Sequence, residues 1–537
     1  MKKKSLGTKA GRICVHKQGM ENKNLEKSAD GEGLADDPLL RAAKSLFDLP
    51  YLFPYQRLVM ANILEAAQAA GVAVGRKPTD FEGDGGDREG LGKQIVILPT
   101  GAGKSLCFQL PAMLMEGATL VIYPILSLMA DQERRLTEKK LSPVVLRGGQ
   151  SKEERDIIWK KVAGGQSKII IANPEVLLIP HVMERLKKAG IVHIVIDEAH
   201  CVSEWGETFR PSYLEIKTVV KDIGAPLVTA FTATASAPVL EKIKRYIFDD
   251  EDVMQIVGNP DRANISYSAK ACLLPDVAVR DLLLESERPA IVFCSSRHGT
   301  EKLSLYLRNA LRDMGEGWHR EIRFYHAGLS KEEKADVEGW FINNDGAVLC
   351  ATCAYGMGVD KADIRTVIHR DCPPSVEAYL QEAGRAGRDG RPSKAVLLWG
   401  GEVAVQVQAA AARAGGDLQR QRFSAMLEYA AQTASCRRHS LLQMLDYDSA
   451  GEVPESGCCD VCEKTASGEL REEASFLDFF RKNERRYTEE EAARVIAACE
   501  TNRLSQAQAR YVIGELVGSG KLKLLKSRLW KGKIASV

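Results

Sequence analysis

A glycine turn placed directly behind a strand-like run is the feature that most constrains this chain. Leu98-Pro-Thr-Gly-Ala-Gly-Lys-Ser105 follows the β-branched run Ile95–Ile97 and precedes an apolar stretch, Leu106–Met115, with helical character. Backbone N–H groups of such a turn, together with the positive end of the helix dipole, bind an anion. The pattern predicts an α/β domain with a phosphate site, and the alternative is an ordinary glycine turn behind a buried strand.

The side chains of this turn suggest which anion is bound. Lys104 supplies a full positive charge for the β- and γ-phosphates of a nucleotide, and the Ser105 hydroxyl is a ligand for Mg²⁺. The first glycine of the usual phosphate-loop pattern would fall on Leu98, so the match covers only the core of the motif. The predicted nucleotide contacts in the turn are Thr100, Gly101, Gly103, Lys104 and Ser105.

Composition narrows the class of protein. A chain of 537 residues predicts three or four domains, and 45% hydrophobic with 27% charged residues is ordinary for soluble proteins. The net charge of +2 means that any nucleic-acid surface must come from local clustering. The sequence contains no run of 18 apolar residues, so we expect no membrane span. The lysine-rich start lacks the apolar stretch of a secretory signal. We therefore expect an intracellular protein, cytoplasmic or, in a eukaryote, nuclear.

Two successive series of short β-branched runs alternate with helical stretches, the first from Ile95 to Phe231 and the second from Ala290 to Leu398. This rhythm predicts two parallel sheets with helices on both faces. The Gly- and Asp-rich segment 71–92 is expected to be a surface loop. The expected domains are a disordered tail 1–45, sheet domains 46–262 and 263–402, a cysteine-bearing region 403–470 and a C-terminal domain 471–537.

Two acids end one strand of the first series. Ile194-Val-Ile is followed by Asp197 and Glu198, so a buried strand carries two carboxylates to its exposed end. One carboxylate can hold Mg²⁺ while its neighbour orients a water molecule. Because ligands of parallel sheets bind at the carboxyl ends of the strands, these acids should lie near the phosphate turn.

The second series carries a pair of arginines instead of a phosphate turn. Arg385 and Arg388 stand three residues apart in Gln381-Glu-Ala-Gly-Arg-Ala-Gly-Arg388 and are separated by glycine. A guanidinium has the geometry and the permanent charge to stabilise a transferring γ-phosphoryl group across a cleft. Two sheets with complementary groups predict a motor whose site is completed on closure; an exposed Arg-Gly loop is the plain alternative.

Four of the 13 cysteines are grouped near the C-terminus. Cys459 and Cys462 have C-x₂-C spacing, and Cys436 with Cys458 completes a Cys₄ set suited to one tetrahedral Zn²⁺. The scattered remaining cysteines do not suggest a disulfide framework. We predict a structural zinc site, with free thiols as the alternative.

These motifs together resemble the RecQ family of superfamily 2 DNA helicases, over about residues 46 to 465. The most specific match is the aromatic-rich segment Asp197-Glu-Ala-His-Cys-Val-Ser-Glu-Trp-Gly-Glu-Thr-Phe-Arg-Pro-Ser-Tyr213. Further matches are Val121–Gln132, Asn173–Glu175, Thr232–Thr234, Phe293–Arg297, Tyr325–Gly328 and Ala351–Lys361. The resemblance implies two tandem RecA-like domains, a zinc-binding helical subdomain and a winged-helix domain, with 3′→5′ translocation on single-stranded DNA, duplex unwinding and a role in DNA repair and recombination.

The resemblance also implies a role for each matched residue. Asp197 would bind the metal, Glu198 the attacking water, and Arg388 would be the arginine finger beside Arg385 and Gln381. His200, Thr232 and Thr234 would couple the ATP state to the grip on DNA, and Gln56 would read adenine. The implied DNA contacts are Trp205, Phe209, Arg210, Arg297 and Trp530; Trp205 could instead pack its own loop.

The last 67 residues predict helices followed by a basic hairpin, which resembles a winged-helix module for duplex phosphates. Trp530 could wedge a terminal base pair or anchor the hairpin to its own core. Arg437 and Arg438 could contact DNA or cap a helix.

Two other functions remain open at this stage. The tail is unusual, and the adenine segment at Phe53 and the aromatic segment at Glu204, Glu207 and Thr208 depart from the family pattern. The chain could therefore be a DNA-stimulated ATPase that remodels protein–DNA complexes as part of a repair or defence assembly, without strong unwinding. A zinc and winged-helix scaffold with degenerate ATPase is the second, and intact Lys104 argues against it. RNA is a further possible substrate; protein partners cannot be inferred.

Overall fold

The structure is a computed structural model that describes residues 12–15, 37–75, 92–99, 101–205, 210–259, 261–312, 317–355, 361–400, 417–445, 447, 457–499, 504–527 and 529–537. The chain divides into two compact units, Met1–Asp261 and Arg262–Val537. Among the described helices, none combines the length and the apolar character needed to cross a membrane.

The first unit contains an eight-stranded sheet in which every neighbouring pair is parallel. Its strands, in chain order, are β1 Arg12–Val15, β2 Lys93–Ile97, β3 Ala118–Ile122, β4 Val144–Leu146, β5 Ile169–Ala172, β6 Ile191–Ile196, β7 Leu227–Thr232 and β8 Met254–Gly258. The spatial order β1-β8-β2-β7-β6-β3-β5-β4 puts β7 between β2 and β6. The carboxyl ends of these three strands therefore share one edge of the sheet.

Helices flank this sheet, as the alternating pattern predicts. They are α1 Pro38–Phe47, α2 Pro54–Ala69, α3 Lys104–Leu114, α4 Leu126–Glu138, α5 Lys152–Ala163, α6 Pro174–Leu177, α7 Pro180–Lys187, α8 Cys201–Trp205, α9 Ile216–Ile223 and α10 Ala237–Phe248, with a short 3₁₀ helix at Pro211–Glu215. The predicted tail 1–45 is wrong in part. Asp37 caps α1 and Pro38 begins it, while Leu39 and Phe47 enter the core; β1 pairs with β8.

The second unit contains a six-stranded sheet, again parallel throughout, in the order β11-β12-β10-β13-β14-β9. Its strands are β9 Ile265–Ala271, β10 Ala290–Phe293, β11 Ile322–Tyr325, β12 Val348–Ala351, β13 Thr366–His369 and β14 Ser393–Trp399. The flanking helices are α11 Pro275–Glu285, α12 Arg297–Ala310, α13 Lys331–Ile342 and α14 Val376–Ala383, with a 3₁₀ turn at Trp318–Arg320. Three described strands at or next to a sheet edge, β1, β8 and β9, were not predicted from the sequence.

Two smaller parts follow the second sheet. Helices α15 Asp417–Ala431 and α16 Arg437–Met444 accompany the cysteines and pack beside β9 and β14. Helices α17 Glu473–Lys482, α18 Glu489–Ala498 and α19 Gln506–Gly518 and the antiparallel strands β15 Leu522–Leu524 and β16 Ile534–Ser536 share a separate apolar core. The predicted helices and hairpin are thus present, with capping boxes at Thr488 and Ser505.

Candidate active site

The phosphate turn connects β2 to α3 and is shaped by two glycines. Gly101 has φ +83° and Gly103 has φ +71°, a backbone region that side chains rarely adopt. Lys104 begins α3, and its ammonium lies 3.5 Å from the carbonyl oxygen of Leu98, at the end of β2. The first N–H groups of an α-helix have no partner within the helix, so those of Lys104 and Ser105 are placed to bind an anion, while the Leu106 N–H donates to the Gly103 carbonyl at 3.1 Å. Thr100 lies outside the described residues.

Gln56, the predicted adenine contact, lies against this turn. Its side-chain amide donates to the Ala102 carbonyl at 2.9 Å, while its oxygen accepts from the Phe53 N–H at 3.0 Å. A Cβ at Gly103 would come within 2.5 Å of the Gln56 amide nitrogen, so glycine is required for this packing. The amide retains a second N–H and a second lone pair for a base. Adenine recognition by Gln56 stays a prediction.

The two acids lie at the end of β6. Asp197 is buried, and one of its carboxylate oxygens accepts the Glu198 N–H at 2.9 Å. Glu198 itself has φ +50°, a strained conformation for a residue with a side chain. Burial, followed by the Glu198 carboxylate, raises the pKa of Asp197 to about 7, and Lys104 opposes the rise. A buried carboxyl with a raised pKa beside a second carboxylate is the environment that a divalent cation would neutralise.

A relay of side chains joins β6 to β7 beside these acids. His200 Nδ1 lies 3.1 Å from the Thr232 hydroxyl and 3.4 Å from a Glu198 carboxylate oxygen. Thr232 in turn donates to the Thr234 carbonyl at 2.9 Å. The three residues that the resemblance singles out as coupling residues are therefore in one hydrogen-bonded chain.

The second unit carries the arginine loop, residues 384–388, directly after α14. Arg385 is buried with its guanidinium 5.9 Å from the centre of the Phe293 ring, and Arg388 is half-buried. Gln381, on the last turn of α14, is half-buried as well. Sequence reasoning missed Arg262 and Asn264, which donate to the carbonyls of this loop from 122 to 125 residues away. No spacing signal could have revealed them.

The predicted DNA contacts are spread over both units. Trp205 ends α8, with a side chain outside the described set, and Phe209 also lies outside it. Arg210 donates to the Pro124 carbonyl and lies 3.8 Å from Glu175. Arg297 is exposed at the start of α12, and Trp530, between β15 and β16, is 38% exposed. Their contacts with DNA stay predictions, and both interpretations of Trp530 remain.

The four cysteines converge. The sulfur atoms of Cys436, Cys458, Cys459 and Cys462 all lie within 4.8 Å of one another. Two of the separations are 3.6 Å and 3.9 Å, close to the roughly 3.8 Å that four sulfurs about 2.3 Å from one tetrahedral zinc require. Although burial opposes it, N–H donors from Cys462 and Arg437 lower the pKa of Cys459. The donor set therefore fits Zn²⁺.

Arg437 and Arg438 are both buried, so neither side chain is available to DNA and that interpretation is wrong. Arg437 pairs with Asp460 at 2.5 Å and donates to the Tyr429 carbonyl. Asp460 also accepts the Ala269 N–H at 3.0 Å. These bonds fix the cysteine region along the edge strand β9, which explains why two cationic residues are tolerated in the interior.

Two parallel-sheet units, one with a phosphate turn and paired acids and the other with an arginine loop, define a helicase-type nucleotide-binding protein. Family models agree: DEAD/DEAH box helicase matches residues 54–243, helicase conserved C-terminal domain matches 275–390, and RecQ zinc-binding matches 405–463. The chain belongs to the RecQ family of superfamily 2 DNA helicases.

Individual relatives agree with this assignment. The chain is 32% identical over 461 residues to the putative ATP-dependent DNA helicase Q1 of Caenorhabditis briggsae, covering 82% of this chain and 69% of the relative. It is 37% identical over 310 residues to the probable ATP-dependent DNA helicase RecS of Bacillus subtilis, covering 57% of this chain and 60% of that protein. The chain thus spans less than two thirds of RecS.

A solved structure supports the fold alone. The Mycobacterium smegmatis helicase Lhr, bound to single-stranded DNA and AMP-PNP, has a TM-score of 0.50 at 21% identity. The match covers 77% of this chain and 57% of Lhr. The predicted RecA-like fold is therefore confirmed.

Proposed function

We propose that this protein is an ATP-dependent DNA helicase that translocates 3′→5′ on single-stranded DNA and separates duplexes during repair or recombination, in the compartment that holds the DNA. One observation carries the proposal. The phosphate turn, the Thr232 hydroxyl and the Asp197–Glu198 pair lie at the carboxyl ends of β2, β7 and β6, three adjacent strands that end at the same edge of one sheet. Nucleotide binding, metal binding and a coupling relay thus share one site.

In this proposal the phosphates of ATP lie against the N-terminus of α3, and Lys104 turns from Leu98 to the β- and γ-phosphates. Ser105 and Asp197 would hold Mg²⁺, which neutralises developing phosphate charge when bound. Glu198 accepts a hydrogen bond from the attacking water and orients it toward the γ-phosphorus. Because His200 contacts both Glu198 and Thr232, a change at the γ-phosphate reaches β7 directly.

In this proposal the second unit supplies the positive charge that stabilises the negative charge developing on the γ-phosphoryl group during its transfer. We assign Arg388 as the arginine finger, with Arg385 and Gln381 beside it. A guanidinium that engages only in the transition state raises kcat with little effect on ATP binding. Hydrolysis then depends on the second unit, which is how ATP turnover would be converted into movement along DNA.

DNA would contact both units and the C-terminal domain. The aromatic segment at Trp205 and Phe209 offers faces for unstacked bases, and Arg297 offers charge for phosphates. We infer that the three helices and hairpin at residues 473–536 form a winged helix. Lys521, just before β15, and Lys523, on β15, suit duplex phosphates.

The test measures ATP hydrolysis with and without single-stranded DNA, together with separation of a duplex that carries a 3′ overhang. We expect DNA to stimulate hydrolysis and the duplex to be separated. A duplex with a 5′ overhang is the polarity control. Hydrolysis that ignores DNA would contradict the motor, whereas stimulation without strand separation would favour an ATPase that remodels protein–DNA complexes.

A further inference from the structure

The arginine loop is held by a residue far from it in sequence. The Arg262 guanidinium donates to the carbonyls of Gly384 at 3.1 Å, Ala386 at 3.2 Å and Gly387 at 2.8 Å. These carbonyls lie at the C-terminal end of α14, and Gly384 is the C-cap of that helix. A cation at a helix C-terminus satisfies carbonyls that the helix leaves without partners and interacts favourably with the helix dipole. Arg262 therefore fixes the backbone on both sides of Arg385.

Asn264 fixes the other end of the loop. Its side-chain amide donates to the carbonyls of Gly387 at 2.8 Å and Arg391 at 2.9 Å. Gly387 has φ +55°, and a Cβ there would lie 2.4 Å from the Asn264 amide nitrogen and 2.7 Å from the Arg391 carbonyl. The contact between Gly387 and Asn264 is so close that the loop has little freedom to shift. Because Arg388 follows Gly387 directly, this contact sets the direction in which the Arg388 side chain leaves the backbone.

The segment that carries Arg262 and Asn264 is itself held by Arg438. The buried Arg438 guanidinium donates to the carbonyl of Arg262 at 3.0 Å and that of Ile265 at 2.7 Å, and it lies 5.3 Å from the centre of the Tyr267 ring. Arg438 is in the first turn of α16, and Cys436 is the N-cap of that helix. The cysteine cluster thus determines where Arg438 is placed.

We propose that Arg262, Asn264 and Arg438 form a positioning relay through which the fold around the cysteine cluster sets the geometry of Arg385 and Arg388. None of the three needs to touch ATP. This inference rests on the proposed function, because it concerns the reaction that Arg388 is assigned to assist. It makes the cysteine region part of the machinery for ATP turnover in addition to its structural role.

The first test compares Arg262→Ala and Asn264→Ala with wild type. Displacing a transition-state group by about 1 Å costs up to roughly a hundredfold in rate, so we expect DNA-stimulated kcat to fall about tenfold to a hundredfold. Affinity for a fluorescent ATP analogue should change by less than about threefold, because the loss is confined to the transition state. Arg262→Lys should recover only part of the rate, since an ammonium cannot serve three carbonyls in the planar geometry of a guanidinium.

The control for general loss of stability is Arg288→Ala. Arg288 also donates to a backbone carbonyl of the second unit, that of Gly346 at 3.1 Å, and lies over the Trp318 ring. We expect its thermal unfolding to shift like that of Asn264→Ala while its kcat stays near wild type. Equal loss of kcat in Arg288→Ala would overturn the relay, because destabilisation alone would then explain the effect.

A double-mutant cycle identifies the route of action. If Arg262 acts through Arg388, then Arg262→Ala should cause little further loss in an Arg388→Ala background, measured in single turnovers with excess enzyme. Multiplicative losses would overturn the relay and leave the arginine-finger assignment intact. A wild-type rate in Arg388→Ala alone would instead overturn that part of the proposed function, and the relay with it. Arg438→Lys should give a loss of the same kind as Asn264→Ala, and an unchanged kcat would remove Arg438 from the relay.

Discussion

The two sheets use the same connection, a strand followed by a turn and a helix, in opposite ways. Between β2 and α3 the turn has left-handed glycines at 101 and 103 and presents backbone N–H groups. Between β10 and α12 the turn is closed by side chains. Asp371 accepts from the Ser295 N–H at 2.7 Å and from its hydroxyl at 2.9 Å, and Ser296 accepts from the Gly299 N–H at 3.0 Å.

This difference explains the division of labour. An open turn of backbone donors binds an external phosphate, whereas a turn already occupied by the chain's own carboxylate does not. In the proposed function, the second unit contributes to nucleotide chemistry through a different loop, at residues 384–388. One architecture used twice gives one open turn of backbone donors and one turn closed by side chains.

The strongest test of this difference between the two turns is to remove the positive charge at the start of the helix that follows each turn. Lys104→Ala should lower ATP hydrolysis by about a thousandfold and abolish unwinding, because the phosphates lose their only full charge from this turn. Arg297→Ala, at the corresponding start of α12, should leave ATP affinity unchanged and weaken single-stranded DNA binding. Equilibrium titrations with a fluorescent nucleotide and a labelled oligonucleotide measure both. A large loss of ATP affinity in Arg297→Ala would show that the turn in the second unit also binds nucleotide.

Loss of the cysteine cluster should lower the stability of the second unit and leave that of the first unit unchanged. Cys459→Ser removes the thiolate that accepts two backbone N–H donors, and we expect loss of bound zinc with more than about 4 kcal/mol of destabilisation of the second unit. Hydrogen exchange should show faster opening of β9 and unchanged protection of β2 and β7. Exposed Cys499→Ser is the control and should keep one zinc per chain by elemental analysis. Full zinc retention in Cys459→Ser would contradict the Cys₄ assignment.

Buried histidines offer a pH test of the first sheet. His193 lies on β6 beside the Thr229 hydroxyl, and burial lowers its pKa from 6.5 to about 3. Between those values the unfolded chain takes up a proton that the folded chain excludes. The free energy of unfolding should therefore fall as pH drops from about 6.5 toward 3, by at most about 1.4 kcal/mol per pH unit.

The measurement is denaturant unfolding from pH 7.5 to 5 in wild type and His193→Asn. The variant should have the shallower pH slope, because its side chain does not titrate. Equal slopes would mean that His193 does not control acid stability. The control His181→Asn, at an exposed position on α7, should leave the slope unchanged.

The smallest effect is expected at the closed turn. Asp371→Ala removes the acceptor for Ser295 and one of the two carboxylates that pair with Arg370. Because Ser295 is exposed to water and Arg370 keeps Asp276, the cost should be about 1–2 kcal/mol. ATP affinity and kcat should stay near wild type, since the phosphate site is on the other sheet. Calorimetric unfolding and steady-state kinetics check this, with Glu332→Ala on α13 as the control. A second nucleotide site in the variant would mean that Asp371 had been blocking a functional phosphate turn.

Local residue patterns predicted much of this molecule. The phosphate turn, the acids after β6, the arginine loop and the Cys₄ set are all short motifs, so their chemistry is visible in neighbouring residues. Most strands were found because fully buried parallel strands are continuous β-branched runs. Strand β1 was missed since its composition is that of a tail, and α1 because its cap at Asp37 lies among polar residues.

What the amino-acid sequence determined by itself was therefore the type of chemistry and the family. The tertiary structure decided which groups meet. Two adjacent arginines, Arg437 and Arg438, are typical of a DNA contact. In the folded chain both are buried, because Arg437 pairs with Asp460 and Arg438 donates to the Arg262 carbonyl. Gln56, Arg262 and Asn264 gain their roles from backbone carbonyls 46 to 127 residues away. Every residue has a backbone carbonyl, so the residue types in a sequence do not reveal which carbonyl accepts a hydrogen bond from a distant side chain. Only the folded chain shows this.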